Sequence, residues 1–149
     1  MEETARAASV LAARKNISID VTNSSEALFH GDEDLMRQMI LNLLDNSIKY
    51  TPAGGIVRLS LARNEGRYFI EVSDTGTGIP AEAQSHIFER FYRTDKARSR
   101  SEGDGGSGAG LGLAIARWIA ESHEGNLELT RSDKNGSAFI ASFPAARDM

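Results

Sequence analysis

The longest regular pattern of apolar and polar positions runs from Gly31 to Pro52, G-D-E-D-L-M-R-Q-M-I-L-N-L-L-D-N-S-I-K-Y-T-P. Met36, Ile40, Leu43 and Leu44 recur on one arc at helical spacing, and the pattern predicts one long helix. Gly31-Asp32 supplies the start, with Asp32 or Asp34 as N-cap; acids fill the first turn, and Pro52 marks the stop. At roughly 100° per residue, Leu35 and Met39 share an arc of about 80° with Asn42, Asn46 and Lys49. One stripe therefore turns from apolar to amide and ammonium along the helix. Two asparagines four residues apart beside a core stripe are costly to bury unless their amides find partners. They are either hydrogen-bonded within the fold or aimed at a ligand.

The flanking patterns supply the other elements. Residues 2–15 are alanine-rich, with Ala5, Ala8, Leu11 and Ala12 at helical spacing, and predict a helix packed by a small-residue face and ended by Asn16. I-S-I-D-V (17–21) alternates as a strand, and A-L-F-H (27–30) reads as another short one. After the turn at Gly54-Gly55, I-V-R-L-S-L-A (56–62) and R-Y-F-I-E-V-S (67–73) alternate on either side of Asn64-Glu65-Gly66, a β-hairpin. D-T-G-T-G-I-P (74–80) leaves strand geometry abruptly. A short amphipathic helix around 82–90 places Ile87, Phe88 and Phe91 near its apolar side. L-G-L-A-I-A-R-W-I-A-E-S-H (111–123) predicts a helix with Leu111, Ile115, Trp118 and Ile119 on one face and Gly125 as its stop. N-L-E-L-T (126–130) and S-A-F-I-A-S-F (137–143) flank Asn135-Gly136 as a second hairpin. Helices and antiparallel strands mix without strict alternation, which predicts an α+β fold with helices layered on one face of a sheet.

Composition narrows the function classes. The chain has 149 residues, 40% apolar and 26% charged, enough for one globular domain with a substantial core. With no cysteine, it has neither disulfides nor thiolate metal sites. A net charge of −4 argues against a general nucleic-acid binder. No signal peptide and no membrane-spanning run is present, so the domain is expected to be cytoplasmic and without membrane contact of its own.

Several stretches carry candidate chemistry. Asp74-Thr75-Gly76-Thr77-Gly78 is either a tight turn after a strand or a purine site, in which the carboxylate accepts from an exocyclic amine and glycines let backbone approach a flat ring. Gly106-Ser107-Gly108-Ala109-Gly110-Leu111-Gly112-Leu113 opens a helix, where free N–H groups make an anion cradle unless the run is a hinge without a ligand. Its spacing is not that of a P-loop, and no strand directly precedes it. Lys96, Arg98 and Arg100 read as a solvated face. Arg93, beside Phe91-Tyr92, is better placed to reach a phosphate. His30, His86 and His123 lack partners at metal-ligand spacing and read as structural. The glycine-dense segment before the last helix is too long for a plain connection and reads as a functional loop.

In this order, these stretches resemble the catalytic and ATP-binding domain of bacterial sensor histidine kinases, within the superfamily of gyrase, the large heat-shock chaperones and the mismatch-repair ATPases. Asn42-Leu-Leu-Asp-Asn46-Ser-Ile-Lys49-Tyr50-Thr-Pro looks like the family's asparagine box, and D-T-G-T-G-I-P like its first glycine box. I-F-E-R-F-Y-R (87–93) is similar to its phenylalanine box and G-A-G-L-G-L-A-I-A to its second glycine box. The similarity covers nearly the whole chain. It implies a Bergerat-type two-layer α/β sandwich, with a mixed, mostly antiparallel sheet of about five strands and three main helices on one face. It further implies a single ATP-binding catalytic domain over 1–149, with an ATP lid at about 94–109 and no dimerisation or phosphoacceptor domain.

The resemblance also implies a site map. Asn46 would ligate Mg²⁺ through its amide oxygen, with Asn42 a second ligand, and ATP would be the cofactor. Lys49 would contact phosphate and Tyr50 would line the nucleoside pocket. Asp74 would take the adenine amine, with Gly76, Gly78 and Ile79 beside it. Arg93 would pair with the γ-phosphate, as would backbone donors at Gly108, Gly110, Leu111, Gly112 and Leu113; Ser137 would hold a water near adenine. Lys49 and Arg93 are thus the expected catalytic side chains. Ala109 stands where the family often has Thr, and Ser47 where Ala is usual. With no H-E-[LF]-[RK]-[TN]-P-like segment, the phosphoacceptor histidine is expected on a separate dimerisation domain, with a response regulator downstream. An anti-sigma-factor-type serine kinase and a non-catalytic nucleotide-sensing module are the rival readings.

Overall fold

A computed structural model of the chain describes residues 8–10, 12–23, 33–89 and 112–144. Within them β1 (Ser18–Asn23), β2 (Ile56–Asn64), β3 (Arg67–Asp74), β4 (Asn126–Asp133) and β5 (Gly136–Pro144) form one sheet in the order β1-β2-β3-β5-β4. β1 runs parallel to β2 and the other neighbours are antiparallel, so the sheet is mixed and mostly antiparallel, as expected. The helices are α1 (Glu33–Tyr50), α2 (Ala81–Gln84) and α3 (Gly112–Ser122), preceded by helical residues at 8–10 and 12–14. The strand expected at 27–30, the Asp32 cap and residues 90–111 lie outside the described residues.

Alternation decides which side of the sheet is covered. Val57, Leu59 and Leu61 of β2, Tyr68, Ile70 and Val72 of β3, and Phe139, Ala141 and Phe143 of β5 are all buried, each series at every second residue. Against them α1 packs Met36, Met39, Ile40, Leu43, Leu44 and Ile48, and α3 packs Ala116, Ile119 and Ala120. Each of the larger side chains (Val, Leu, Ile, Met, Phe) contributes roughly 1.5–3 kcal/mol by leaving water, and each alanine less than about 1 kcal/mol. The buried face of α3 differs from the expected one, since Trp118 is 60% exposed. Alanines at 116 and 120 flank Ile119 and let α3 lie close to α1, and on that rotation Trp118 points outward. α2 is also shorter than the helix expected over 82–90, with a turn from Ser85 onward.

The connections follow local chemistry. Glu65 and Gly66 join β2 to β3 with φ of 51° and 76°, the pair of positive values that a type I′ hairpin requires. Glutamate is a poor occupant of the first position. Glu65→Asn is therefore expected to raise stability by about 0.5–1 kcal/mol, or about 1–4 °C in Tm, in thermal denaturation. Asn16, at φ 59°, ends the N-terminal helical segment as expected. At the end of α3 the left-handed residue is Glu124, at φ 60°, and not Gly125. Gly125 is needed for close approach: a Cβ there would stand 2.4 Å from the Ser142 carbonyl oxygen.

The C-terminus of α1 is tied down from outside. Lys15 Nζ donates to the Ile48 and Lys49 carbonyls at 3.0 and 2.9 Å, placing a cation at the negative end of the helix. Thr51 Oγ1 donates to the Ser47 carbonyl at 2.7 Å. Lys15→Met is expected to cost about 1 kcal/mol, a Tm lower by about 2–4 °C.

Candidate functional site

The alternation that buries Tyr68, Ile70 and Val72 turns Asp74 inward as well, so β3 ends with a carboxylate on its core face. Asp74 stands opposite Val57 of β2 and Ser137 of β5. Its Oδ1 accepts from the Gly76 N–H at 2.9 Å and from the Ser137 N–H at 3.2 Å. Burial pushes the Asp74 carboxyl above its ordinary value of 3.8. The backbone donors of Gly76 and Ser137, the nearby Ser47 hydroxyl and the Arg131 charge pull it partly back. Both backbone bonds land on Oδ1 and neither uses Oδ2.

The segment after Asp74 is fastened to the end of α1. The Thr77 N–H donates to the Tyr50 carbonyl at 3.2 Å, and a Cβ on Gly76 would stand 2.3 Å from that same oxygen. Thr75 and Ile56 exchange bonds, N–H to carbonyl at 3.1 Å and N–H to Oγ1 at 3.0 Å. Gly78 has φ 79°, and a side chain there would meet the Asp133 carbonyl at 2.1 Å. The Ile79 N–H donates to Ser132 Oγ at 2.7 Å, and Gln84 Nε2 donates to the Ile79 carbonyl at 2.9 Å. The two glycines thus let the loop turn flush against α1 and β4, with Asp74 at its root.

On α1, Asn42, Asn46, Lys49 and Tyr50 are all half-buried. Asn42 Nδ2 is buried without a hydrogen-bond partner. Lys49 forms an ion pair with Asp45 at 3.4 Å. Among the described residues no three His, Cys, Asp or Glu side chains gather as a metal site. A cation at this row would therefore meet amide oxygens and whatever ligands arrive with it. Those hard, few, neutral donors suit Mg²⁺ bound to phosphates and water, while the unmet Asn42 Nδ2 is a donor, which fits an acceptor such as a phosphate oxygen and not the cation itself.

Of the other expected site residues, Gly112 opens α3 and Leu113 packs half-buried against the core. Arg93, Gly108, Gly110, Leu111 and the 94–109 segment lie outside the described residues. The start of the phenylalanine stretch is anchored: Phe88 meets Phe139 edge-on at 6.1 Å, and the Arg117 guanidinium lies 4.9 Å over its ring. His86 pairs with Glu89 at 2.9 Å, and His123 Nδ1 lies 2.8 Å from the Ile119 carbonyl. Ser137 serves Asp74 through its N–H, while its hydroxyl pairs with Ser132 Oγ at 3.0 Å.

Sequence reasoning missed Gly136, Ser132 and Asp45. A Cβ on Gly136 would stand 1.9 Å from the Asp74 carbonyl oxygen, so this glycine lets β5 pass directly beside the Asp74 backbone. Its place after Asn135 suggested only a turn. Ser132 gave no signal, since it acts through a neighbouring strand. Asp45 was legible as an i, i+4 partner of Lys49.

Comparison with known proteins decides what this site belongs to. Residues 31–147 match the family described as histidine kinase-, DNA gyrase B-, and HSP90-like ATPases. The chain belongs to that family. Among its relatives is the sensor histidine kinase RppB of Synechocystis, 42% identical over 134 residues, which are 90% of this chain and 28% of that protein. The sensor-like histidine kinase SenX3 of Mycolicibacterium smegmatis is 38% identical over 91% of this chain and 35% of its own length. The chain thus spans about a third of these relatives. Among solved structures, the mycobacterial sensor histidine kinase MprB superposes with a TM-score of 0.78 at 29% identity, over 100% of this chain and 97% of that one. Full-length ShkA in complex with AMPPNP gives 0.83 at 32% identity, over 99% of this chain and 29% of that one. The five-stranded sheet with its helices is the fold of histidine kinase catalytic domains.

Proposed function

We propose that this domain binds ATP with Mg²⁺ and presents the γ-phosphate to a histidine on a separate dimerisation domain, within a cytoplasmic two-component sensor kinase that passes the phosphate to a response regulator. The observation that carries this reading is the inward carboxylate of Asp74, fixed by two backbone donors beside glycines that a side chain cannot replace. A carboxylate so held accepts from an exocyclic amine and is fitted to adenine. The loop of Gly76, Gly78 and Ile79 forms the wall beside the base, with Tyr50 on the nucleoside.

Asn46 and Asn42 supply amide oxygens to Mg²⁺, which when bound neutralises phosphate charge. Lys49, steadied by Asp45, faces the phosphates. Arg93 and the backbone donors of Gly108, Gly110, Leu111, Gly112 and Leu113 complete the cradle, covered by a lid at about 94–109. Asn42 stands where hydrolysing members of the superfamily carry a glutamate, and an amide cannot take a proton from water. The chain therefore holds ATP without hydrolysing it, and its contribution to transfer is positioning and charge stabilisation. Among the described residues no helix is long and apolar enough to cross a membrane.

The test is transfer of label from radiolabelled ATP in a mixture of this chain with a dimerisation-domain fragment. Label on the fragment's histidine, absent when the fragment is omitted, is the expected result. Label on a serine acceptor, none on any acceptor, or rapid release of free phosphate by the chain alone would contradict it.

A further inference from the structure

The last four carbonyls of an α-helix find no N–H within it. At the end of α1 each has a donor: Thr51 Oγ1 serves Ser47, the Thr77 N–H serves Tyr50, and Lys15 Nζ serves both Ile48 and Lys49. Two of the four thus depend on one half-buried ammonium from the N-terminal segment. Lys15 is itself held in place. Ala8, Ala12 and Ile17 are buried in the core, and the Ala12 carbonyl accepts from the Lys15 N–H at 3.1 Å and the Ile17 N–H at 2.8 Å. The Gly54 N–H donates to the Asn16 carbonyl at 2.8 Å, and the Ser18 N–H to the Gly55 carbonyl at 3.1 Å. Residues 15–18 therefore grip both the end of α1 and the turn that follows it.

We propose that Lys15 is a positioning residue for triphosphate binding, which acts through Lys49 by holding the Lys49 carbonyl and so fixing the last turn of α1. Its role rests on the ATP reading above. Lys49 is then steadied at both ends, its ammonium by Asp45 at 3.4 Å and its backbone by Lys15 at 2.9 Å. The bond from a charged donor opposes the negative end of the helix and is of the stronger kind. Tyr50 and the loop after Asp74 are joined separately, through Thr77 at 3.2 Å, so the adenine side does not depend on Lys15. The N-terminal segment is thereby linked to the phosphate side of the site. Withdrawing Lys15 loosens the triphosphate, and bound triphosphate holds the segment more firmly by the same factor.

The test titrates ATP with Mg²⁺ calorimetrically, and adenosine by chemical-shift changes, into the chain, Lys15→Met, Lys15→Arg, Lys49→Met and the Lys15→Met/Lys49→Met double variant. All are compared well below their Tm, with circular dichroism to verify the fold. Lys15→Met is expected to bind ATP about threefold to tenfold more weakly, the effect of about one hydrogen bond, with adenosine affinity unchanged. Lys15→Arg keeps the donors and is expected to stay within about twofold of the unaltered chain. In the Lys49→Met background the Lys15→Met effect is expected to vanish, because no ammonium is left to aim. A merely structural role would lower Tm and leave the affinities of the folded protein alone. A long-range pull of the Lys15 charge on the phosphates would persist without Lys49. Unchanged ATP affinity in Lys15→Met, an equal loss for adenosine, or the same loss in the Lys49→Met background overturns the proposal. If the unaltered chain binds no ATP, the ATP reading itself has failed.

Discussion

Asp74→Asn is expected to weaken ATP binding by about a hundredfold, the loss of a hydrogen bond to a charged acceptor together with a new clash of donors. Asparagine keeps the shape, so stability should change little, but its amide lets an NH₂ face the adenine amine. The preference for ATP over GTP should shrink with it. Calorimetric titration of both nucleotides measures this directly, and circular dichroism confirms that the fold persists. The same carboxylate predicts a pH dependence. Burial raises its pKa above 3.8 in the nucleotide-free fold, so the folded state holds this proton more tightly than the unfolded chain does. Its contribution to stability is fully present below 3.8 and is lost as pH rises through the raised folded value. Adenine needs the ionised form, so affinity should fall on acidification through that same raised value. Asp74→Asn should flatten both trends.

Gly136→Ala is expected to be the most destabilising single substitution at the site. The residue has φ 139°, and its Cβ would stand 1.9 Å from the Asp74 carbonyl oxygen and 3.2 Å from Thr75 Cα. Backbone strain and overpacking each cost about 1–3 kcal/mol, so a loss of about 3 kcal/mol, or about 6–12 °C in Tm, is expected. Because the next residue donates its N–H to Asp74 Oδ1, nucleotide binding should be lost with it. Gly66→Ala supplies the contrast. Gly66 also has a positive φ, 76°, but nothing lies within 4 Å of its Cβ. It should cost about 1 kcal/mol and leave binding intact. Equal effects of the two substitutions on ATP binding would show that closeness to Asp74 is not what Gly136 provides.

What the sequence made legible is what local periodicity encodes. Alternation in 67–73 marks β3, but Asp74 reads there as the start of a turn, and its inward orientation shows only because the strand runs one residue further. The helical stripe of 31–52 brought Asn42, Asn46 and Lys49 to one face, and Glu65-Gly66 and Asn135-Gly136 marked both hairpins. What stayed hidden depends on partners distant in the chain. Lys15 caps α1 across more than thirty residues. Gly136 touches Asp74 only because β3 and β5 are neighbours in the sheet. Trp118 was misplaced because an apolar-weighted helical face ignores the close approach that Ala116 and Ala120 permit. Gly125 reads as the stop of the last helix, yet Glu124 takes the left-handed φ, since a glycine near a helix end serves as well for contact.

The most direct measurement is a crystal structure of the chain with Mg²⁺ and a non-hydrolysable ATP analogue. The account predicts the exocyclic amine of adenine within hydrogen-bond distance of Asp74 Oδ2, and the cation on the amide oxygen of Asn46 beside the phosphates. Adenine lodged away from Asp74, or a cation that touches neither Asn46 nor Asn42, would contradict it.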